Sequence, residues 1–311
     1  MKTIDLKTGK EITLSPDERV CCALGNFDGV HLGHRALLAV AAEKQGCTKS
    51  AVWTFSTPSS RTVGGVSLLT DPEERFALFR SLGIDLVFLS DFSELRGLPP
   101  EIFVREILYD ACRVRRAVCG FNFRYGNRAA GNAETLQKTL TSLGGETAVL
   151  PAYEKNGVTV SSSEIRAALA RGDTESAWEM LARPYALCTE VIHGKQLGRT
   201  LGFPTANQRF PEGRTVPRFG VYAVRVTVDG RCYRGVANVG VRPTVEQTEA
   251  SNCETYLFDF TGSLYGKRIK TEFLRFLRAE KRFSSVHALM KAVQRDMADA
   301  TAYFRQMEGT T

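Results

Sequence analysis

The residues best placed to do chemistry stand in Gly25-Asn26-Phe27-Asp28-Gly29-Val30-His31-Leu32-Gly33-His34. Two histidines three apart share one face of a helical turn. Glycines let the backbone come close to a phosphate, and the free N–H groups of a helix start offer donors beside a positive dipole end. Imidazoles set among such donors suit charge building on a phosphoryl group. The His-x-x-His pair alone would equally fit two surface or capping residues, and a zinc site would need further ligands at matching spacing. No Gly-Lys-Ser or Gly-Lys-Thr closes the turn, so it is not a Walker loop.

A second constellation runs from Gly194 to Asn207, with Lys195, Gly198, Arg199, Gly202 and Pro204-Thr205-Ala206-Asn207 inside it. Three glycines four apart, with a lysine and an arginine among them, suit a loop that wraps phosphates with its backbone. Pro204 fixes the chain ahead of Thr205 and Asn207, whose short oxygen-bearing side chains suit a Mg²⁺ bridging ATP phosphates. Further on, strand alternation puts Glu254, Tyr256, Phe258 and Phe260 on one face. By pattern alone Glu254 is either a solvated strand-end acid or a functional carboxylate. Ser161-Ser162-Ser163-Glu164-Ile165-Arg166 reads as an N-cap and helix start with spare N–H donors. Arg166 there could grip a pyrophosphate through two hydrogen bonds. In Gly120-Phe121-Asn122-Phe123-Arg124-Tyr125-Gly126, core packing accounts for the phenylalanines better than for Asn122 and Arg124.

Stepping outward, Val20–Leu24 is a short apolar run before the first motif, and Ala36, Leu37, Val40 and Ala41 recur at helical spacing after it. A strand-to-helix turn is where an α/β sheet offers its ligand crevice. More strands are expected at 51–55, 84–89, 117–119 and 148–150, with helices opened by Asp71-Pro72-Glu73-Glu74 and Pro100-Glu101. This alternation predicts a doubly wound, mostly parallel sheet to about residue 183. From Tyr185 the pattern becomes antiparallel, with strands at 186–192, 220–228, 231–239, 253–260 and 268–278 and a hairpin turn at Asp229-Gly230. A small barrel closed by an amphipathic helix over 284–304 is expected, giving domains 1–184 and 185–311.

Composition narrows the class. At 311 residues the chain is long enough for two cores. No apolar run approaches the roughly 20 residues of a membrane helix, and the first 14 residues lack a signal-peptide core. Eight cysteines without Cys-x-x-Cys spacing read as small buried hydrophobes of a reducing cytoplasm. Residues 1–184 balance 22 basic against 22 acidic side chains, which leaves 19 basic, 12 acidic and the whole excess of +7 in 185–311. A basic barrel suits phosphate-bearing ligands and nucleic acid alike.

The string from Gly25 to His34 is similar to the His-x-Gly-His signature of nucleotidylyltransferases. In full it resembles the bacterial bifunctional riboflavin kinase/FMN adenylyltransferases, also called FAD synthetases. Gly202-Phe203-Pro204-Thr205-Ala206-Asn207 resembles the riboflavin kinase signature without a mismatch, and Glu254-Thr255-Tyr256 its Glu-Thr-His stretch with Tyr for His. Residues 120–126 and 161–166 resemble two further loops of the family, as do 238–244 and Leu264-Tyr265-Gly266. Departures are Thr159 where a basic residue is usual, Asn132 in place of Asp with a weaker helix cap expected, and a 56–65 loop in which only Pro58 is kept.

The resemblance covers residues 18 to 305 and implies two activities. Riboflavin is phosphorylated to FMN by ATP, and FMN is adenylylated to FAD with release of pyrophosphate. It implies that His31 and His34 stabilise the α-phosphoryl. Gly25, Phe27, Asp28, Gly29, Gly33, Asn122, Ser162, Ser163 and Arg166 bind the ATP of that reaction. Gly194, Lys195, Gly198, Gly202, Thr205 and Asn207 hold Mg-ATP for the kinase, and Glu254 is its base. A class I aminoacyl-tRNA synthetase would share the His-x-Gly-His chemistry, but no Lys-Met-Ser-Lys-Ser-like loop is found. The remaining alternative is a single-activity transferase whose basic barrel binds nucleic acid.

Overall fold

The computed structural model describes residues 1–6, 14–55, 66–91, 97–194, 202–242 and 250–309. The chain divides into two compact units, Met1–Ser162 and Ser163–Thr311.

The first unit is built on a six-stranded parallel sheet of β1 (Lys2–Asp5), β2 (Val20–Leu24), β3 (Lys49–Phe55), β4 (Leu86–Ser90), β5 (Val114–Gly120) and β8 (Glu146–Leu150), in the order β1-β4-β3-β2-β5-β8, with two short pairs, β6 (Arg124–Tyr125) with β7 (Gly131–Asn132) and β9 (Glu154–Lys155) with β10 (Val158–Thr159). Period-2 alternation divides the strand residues between two cores. Cys21, Ala23, Val52 and Val87 meet α1 (Leu32–Ala42) through Leu37, Leu38 and Ala41, and α2 (Pro72–Ser81) through Phe79. Cys22, Leu24, Trp53 and Phe88 meet Phe103, Val104 and Leu108 on one helix and Leu136 and Leu140 on another. With helices on both faces, the sheet is doubly wound as expected. From β2 the chain steps to β3 on one side, whereas β5 lies on the other, so the C-terminal end of β2 is the switch point where such sheets bind ligands.

Three details depart from expectation. The N-terminal stretch contributes β1, pairing in parallel with β4 although its sequence shows no apolar run. The helix opened by Pro100 keeps α-helical bonding only to Ile102 (α3, Pro100–Ile102) and is π-helical over Phe103–Ala111, with Cys112 N–H bonded back to Ile107 O. Asn132 does not weaken the cap of α4 (Ala133–Ser142), because its Oδ1 accepts from Thr135 N at 2.8 Å while its own N–H donates to Thr135 Oγ1 at 2.9 Å. Asn caps as well as Asp does.

The second unit takes in α5 (Ser162–Arg171) from Ser163 onward, then α6 (Thr174–Leu181), and continues as an antiparallel sheet. Its strands are β11 (Tyr185–Glu190), β12 (Thr205–Arg209), β13 (Gly220–Val228), β14 (Arg231–Arg242), β15 (Ala250–Leu257) and β16 (Arg268–Ala279), in the order β11-β16-β13-β14-β15-β12. The sheet curls until Ile192, just past β11, bridges Asn207 in β12. The last helix, α7 (Val286–Gly309), lays Ala300, Tyr303 and Phe304 on Val221, Ala223, Val236 and Leu274. Strand β12 was expected to be loop. Its residues Thr-Ala-Asn-Gln-Arg show no apolar alternation, because the barrel interior here is polar: Gln208 donates to Thr189 O and Ile269 O and accepts from Thr271 Oγ1.

Strand β15 ends at Leu257; Phe258 stays beside Tyr256, with ring centroids 5.9 Å apart, whereas Phe260 leaves the face that alternation predicts for it. Asp259 takes a left-handed conformation (φ 55°) and turns the chain. Phe258 then packs on Phe304, and Phe260 on Tyr233. The cysteines Cys21, Cys22, Cys112, Cys119 and Cys253 are buried free thiols, whereas Cys232 is exposed.

Candidate functional site

The first site forms at the end of β2. Phe27, Gly29 and Val30 all have positive φ (53°, 84° and 42°), a costly arrangement for a β-branched residue. The tight coil is anchored from behind. The buried Asp28 carboxylate accepts hydrogen bonds from Leu69 N, Thr70 N and Thr70 Oγ1, and Gly29 N–H donates to Thr70 Oγ1 at 3.0 Å. Asp28 therefore shapes the turn with its side chain. Phe27 is fully buried, its ring 3.3 Å from where a Cβ on Gly25 would stand.

His31 is the N-cap of α1, and its Nδ1 accepts from His34 N–H at 3.3 Å. With Nδ1 acting as acceptor, the neutral His31 ring carries its proton on Nε2. The two imidazoles stack, with centroids 3.6 Å apart and planes 18° from parallel. Burial, then the neighbouring His31, then Arg75 hold the His34 pKa well below 6.5. The pair is thus a stacked donor platform in which His34 stays uncharged at neutral pH. A side chain on Gly33 would stand 3.3 Å from the His31 ring.

Arg75, which the sequence reading passed over, is 1% exposed and donates to Asn26 O at 3.2 Å and Phe55 O at 2.9 Å. Thr54 Oγ1 also donates to Asn26 O, at 2.9 Å. Ser162, the last residue of the first unit, donates from Oγ to Asp28 O at 2.8 Å within that unit. Ser163 and Arg166 follow along α5. Asn122 and Phe121 are exposed, Phe121 at 57%, so Phe121 is not the core residue that strand-end packing suggested; Phe123 is half-buried beside Tyr125. Pro58 and the rest of the 56–65 loop lie outside the described residues.

The second site lies where β12 and β15 run side by side. Asn207 pairs with Glu254 and Thr205 with Tyr256, while Asn238 of β14 faces Glu254 from the other side. Asn207 is buried and Glu254 half-buried. Asn207 Nδ2 donates to Thr205 O at 3.3 Å. Asn252 Nδ2 donates to Asn207 Oδ1 and to Glu254 Oε1, both at 3.2 Å. A Cβ on Gly194 would fall 2.5 Å from Asn207 Nδ2, so Gly194 is needed for close approach to that amide. Gly202 has φ +84°, a conformation that favours glycine. Lys195, Gly198 and Arg199 lie outside the described residues, as do 243 and 244.

Among the described residues no group of three His, Cys, Asp or Glu side chains could hold a metal ion. A divalent cation would instead use Thr205 and Asn207 oxygens together with substrate phosphates, which is how Mg²⁺ is commonly bound. The buried Asn252 Oδ1, without a hydrogen-bond partner in the described structure, fits an oxygen-lined pocket of that kind. Phe203 packs edge-on against Tyr256, and Phe258 against Phe304. These rings do not form the open stacking face a nucleic-acid barrel needs.

A histidine turn at the switch point of a parallel sheet, joined to a barrel with an Asn–Glu strand pair, defines a two-site nucleotide-dependent transferase. Residues 14–164 match the FAD synthetase family model, and residues 181–304 match the riboflavin kinase model. The chain is 36% identical to the bifunctional riboflavin kinase/FMN adenylyltransferase of Bacillus subtilis, over 99% of both chains. It is 39% identical to the Pseudomonas fluorescens protein of the same name, over 93% of this chain and 94% of that one. A crystal structure from Streptococcus pneumoniae, titled a macrolide-efflux protein, superposes with a TM-score of 0.84 at 28% identity, over 96% of this chain and 98% of that one. Among the described residues no helix is long and apolar enough to cross a membrane. The chain belongs to the bifunctional riboflavin kinase/FMN adenylyltransferase family.

Proposed function

We propose that this chain makes FMN from riboflavin and then FAD from FMN, with the histidine turn serving the second step and the β12–β15 pair the first. The observation that carries the division is the presence of two separately built polar clusters, each inside the stretch that matches the corresponding family model. We set the functional boundary at 184/185, with α5 and α6 assigned to the adenylyltransferase although they pack in the second compact unit.

In the adenylylation, a phosphate oxygen of FMN attacks the α-phosphorus of ATP, the bond to the bridging oxygen breaks, and pyrophosphate leaves. His31 donates from Nε2 to the non-bridging oxygens as charge builds, and His34 backs it as a neutral ring. Glycines 25, 29 and 33 with Phe27 shape the nucleotide pocket around this turn, and Asp28 holds its coil. Asn122, Ser162, Ser163 and Arg166 hold nucleotide and phosphates.

In the kinase reaction, the ribityl 5′-hydroxyl attacks the γ-phosphorus, ADP leaves, and Glu254 takes the hydroxyl proton. Gly194, Lys195, Gly198 and Gly202 wrap the phosphates, and Thr205 and Asn207 would hold Mg²⁺. Held there, the ion would supply positive charge to offset that of the phosphates. A cytoplasmic setting suits the free buried thiols.

Chromatography of riboflavin incubated with ATP and Mg²⁺ tests the reading. FMN should appear first and FAD after it, and a chain that leaves riboflavin unchanged overturns the proposal.

A further inference from the structure

We propose that Asn252 is a positioning residue of the kinase site, coupling the amide that faces the metal to the carboxylate that takes the substrate proton. The inference rests on the kinase reading above. Asn252 stands two residues before Glu254 on β15, so the two share a face of the strand, and its side chain is 7% exposed. A buried polar side chain in this place, between two groups with assigned chemistry, calls for an account.

The hydrogen bonds fix its orientation. Asn207 spends its Nδ2 on Thr205 O and turns Oδ1 toward Asn252. Glu254 offers Oε1 from the other side. Both neighbours are acceptors, so Asn252 must present its Nδ2 to them; the flipped amide would set its oxygen against two others. One NH₂ group thereby ties the Asn207 oxygen to the Glu254 oxygen. The backbone holds the frame: Ile192 N–H donates to Asn207 O at 2.8 Å, and Asn207 and Glu254 are direct cross-strand partners.

Asn252 Oδ1 is left buried and without a hydrogen-bond partner in the described structure. An acceptor in that state is costly for a fold alone. It suits a site whose missing donor arrives with the ligand, either a water of the hydrated cation or the substrate hydroxyl. The sequence held no pointer to it: the strand expected over 253–260 starts one residue after Asn252, whereas the observed strand starts at Ala250.

The test uses the full chain with Asn252→Leu, which removes every hydrogen bond, and Asn252→Asp, which keeps the shape and the oxygens but loses the donor. For FMN formation kcat should fall roughly 10-fold to 100-fold in both variants, with KM for riboflavin little changed. Binding of Mn²⁺ in the presence of ADP, read by loss of the free-ion paramagnetic signal, should weaken about 10-fold in Asn252→Leu. Adenylylation of supplied FMN should be unaltered. Wild-type kcat for FMN formation in Asn252→Asp would overturn the inference, and that variant decides the matter if Asn252→Leu fails to fold. A wild-type chain that does not phosphorylate riboflavin would instead overturn the kinase reading on which it stands.

Discussion

The two sites are held in place by different physics. The histidine turn is set by topology, packing and buried hydrogen bonds to backbone groups, from Asp28, Thr70, Thr54 and Arg75. It leaves the switch strand of a parallel sheet, coils through three positive-φ residues, and is clamped by the fully buried Phe27 and nearly buried Arg75. The proposed kinase site is set by hydrogen bonds between side chains on neighbouring strands, with Asn252 joining Asn207 to Glu254. A packed turn couples function to stability, because most of its supports are core residues. A polar network on an already closed barrel separates the two, since a bond can be lost while the strands stay paired.

The sharpest way to break this comparison is to disable each site in turn. His31→Ala should reduce FAD formation from FMN by at least about 10²-fold and leave FMN formation from riboflavin intact. Glu254→Ala should do the reverse, with a loss on the order of 10²-fold to 10⁴-fold in FMN formation while supplied FMN is still adenylylated. Product chromatography of both variants reads out all four rates. Equal loss of both activities in either variant would contradict separate sites.

Arg75→Met probes the packed site at its support. The guanidinium donates to two backbone carbonyls, and burial lowers its pKa while Asp28 and Asp71 oppose that shift. Without it, Asn26 O and Phe55 O lose donors, at a cost of about 1–3 kcal/mol in a denaturant melt. Adenylylation should fall roughly 10-fold through displacement of the turn. Removing the cation also lets the His34 pKa rise part of the way back toward 6.5, since burial and His31 remain. The acid limb of the adenylylation profile should then move to higher pH, while the kinase profile stays where it was.

Much of this was legible in the sequence. The alternation of apolar runs and helical periods gave the parallel sheet, and the glycine–histidine string sits at its switch point as such a string should. What escaped notice is polar and non-local. Nothing around Arg75 distinguishes it from a solvated helix residue after Glu73 and Glu74, because its burial depends on carbonyls 20 and 49 residues away. Strand β12 was hidden for a similar reason: Gln208 is buried against strands distant in sequence, so its polarity mimics a loop. The bracing of the turn by Asp28 was hidden because its partners, Leu69 and Thr70, lie 41 and 42 residues on.

The smallest expected effect concerns the barrel wall, away from either site. Glu272 of β16 is nearly buried and accepts from Arg225 Nε at 2.6 Å and Lys270 Nζ at 2.7 Å. Burial alone would raise its pKa; the bonds from Arg225 and Lys270 outweigh that and bring it below 4.5. A carboxylate whose folded pKa is depressed adds stability above its ordinary pKa, and that stability is lost as pH falls through the folded value. Both cations are nearly half exposed, so screening keeps the contribution near or below about 1 kcal/mol. Glu272→Gln should therefore lower the denaturation midpoint of the second unit slightly at pH 7, and the difference from wild type should shrink as pH drops below about 4. Both activities should be unaffected at neutral pH. If the gap between the curves widened in acid, the ion pairs would not be what holds this carboxylate, and the separation of barrel stability from barrel chemistry would lose its support.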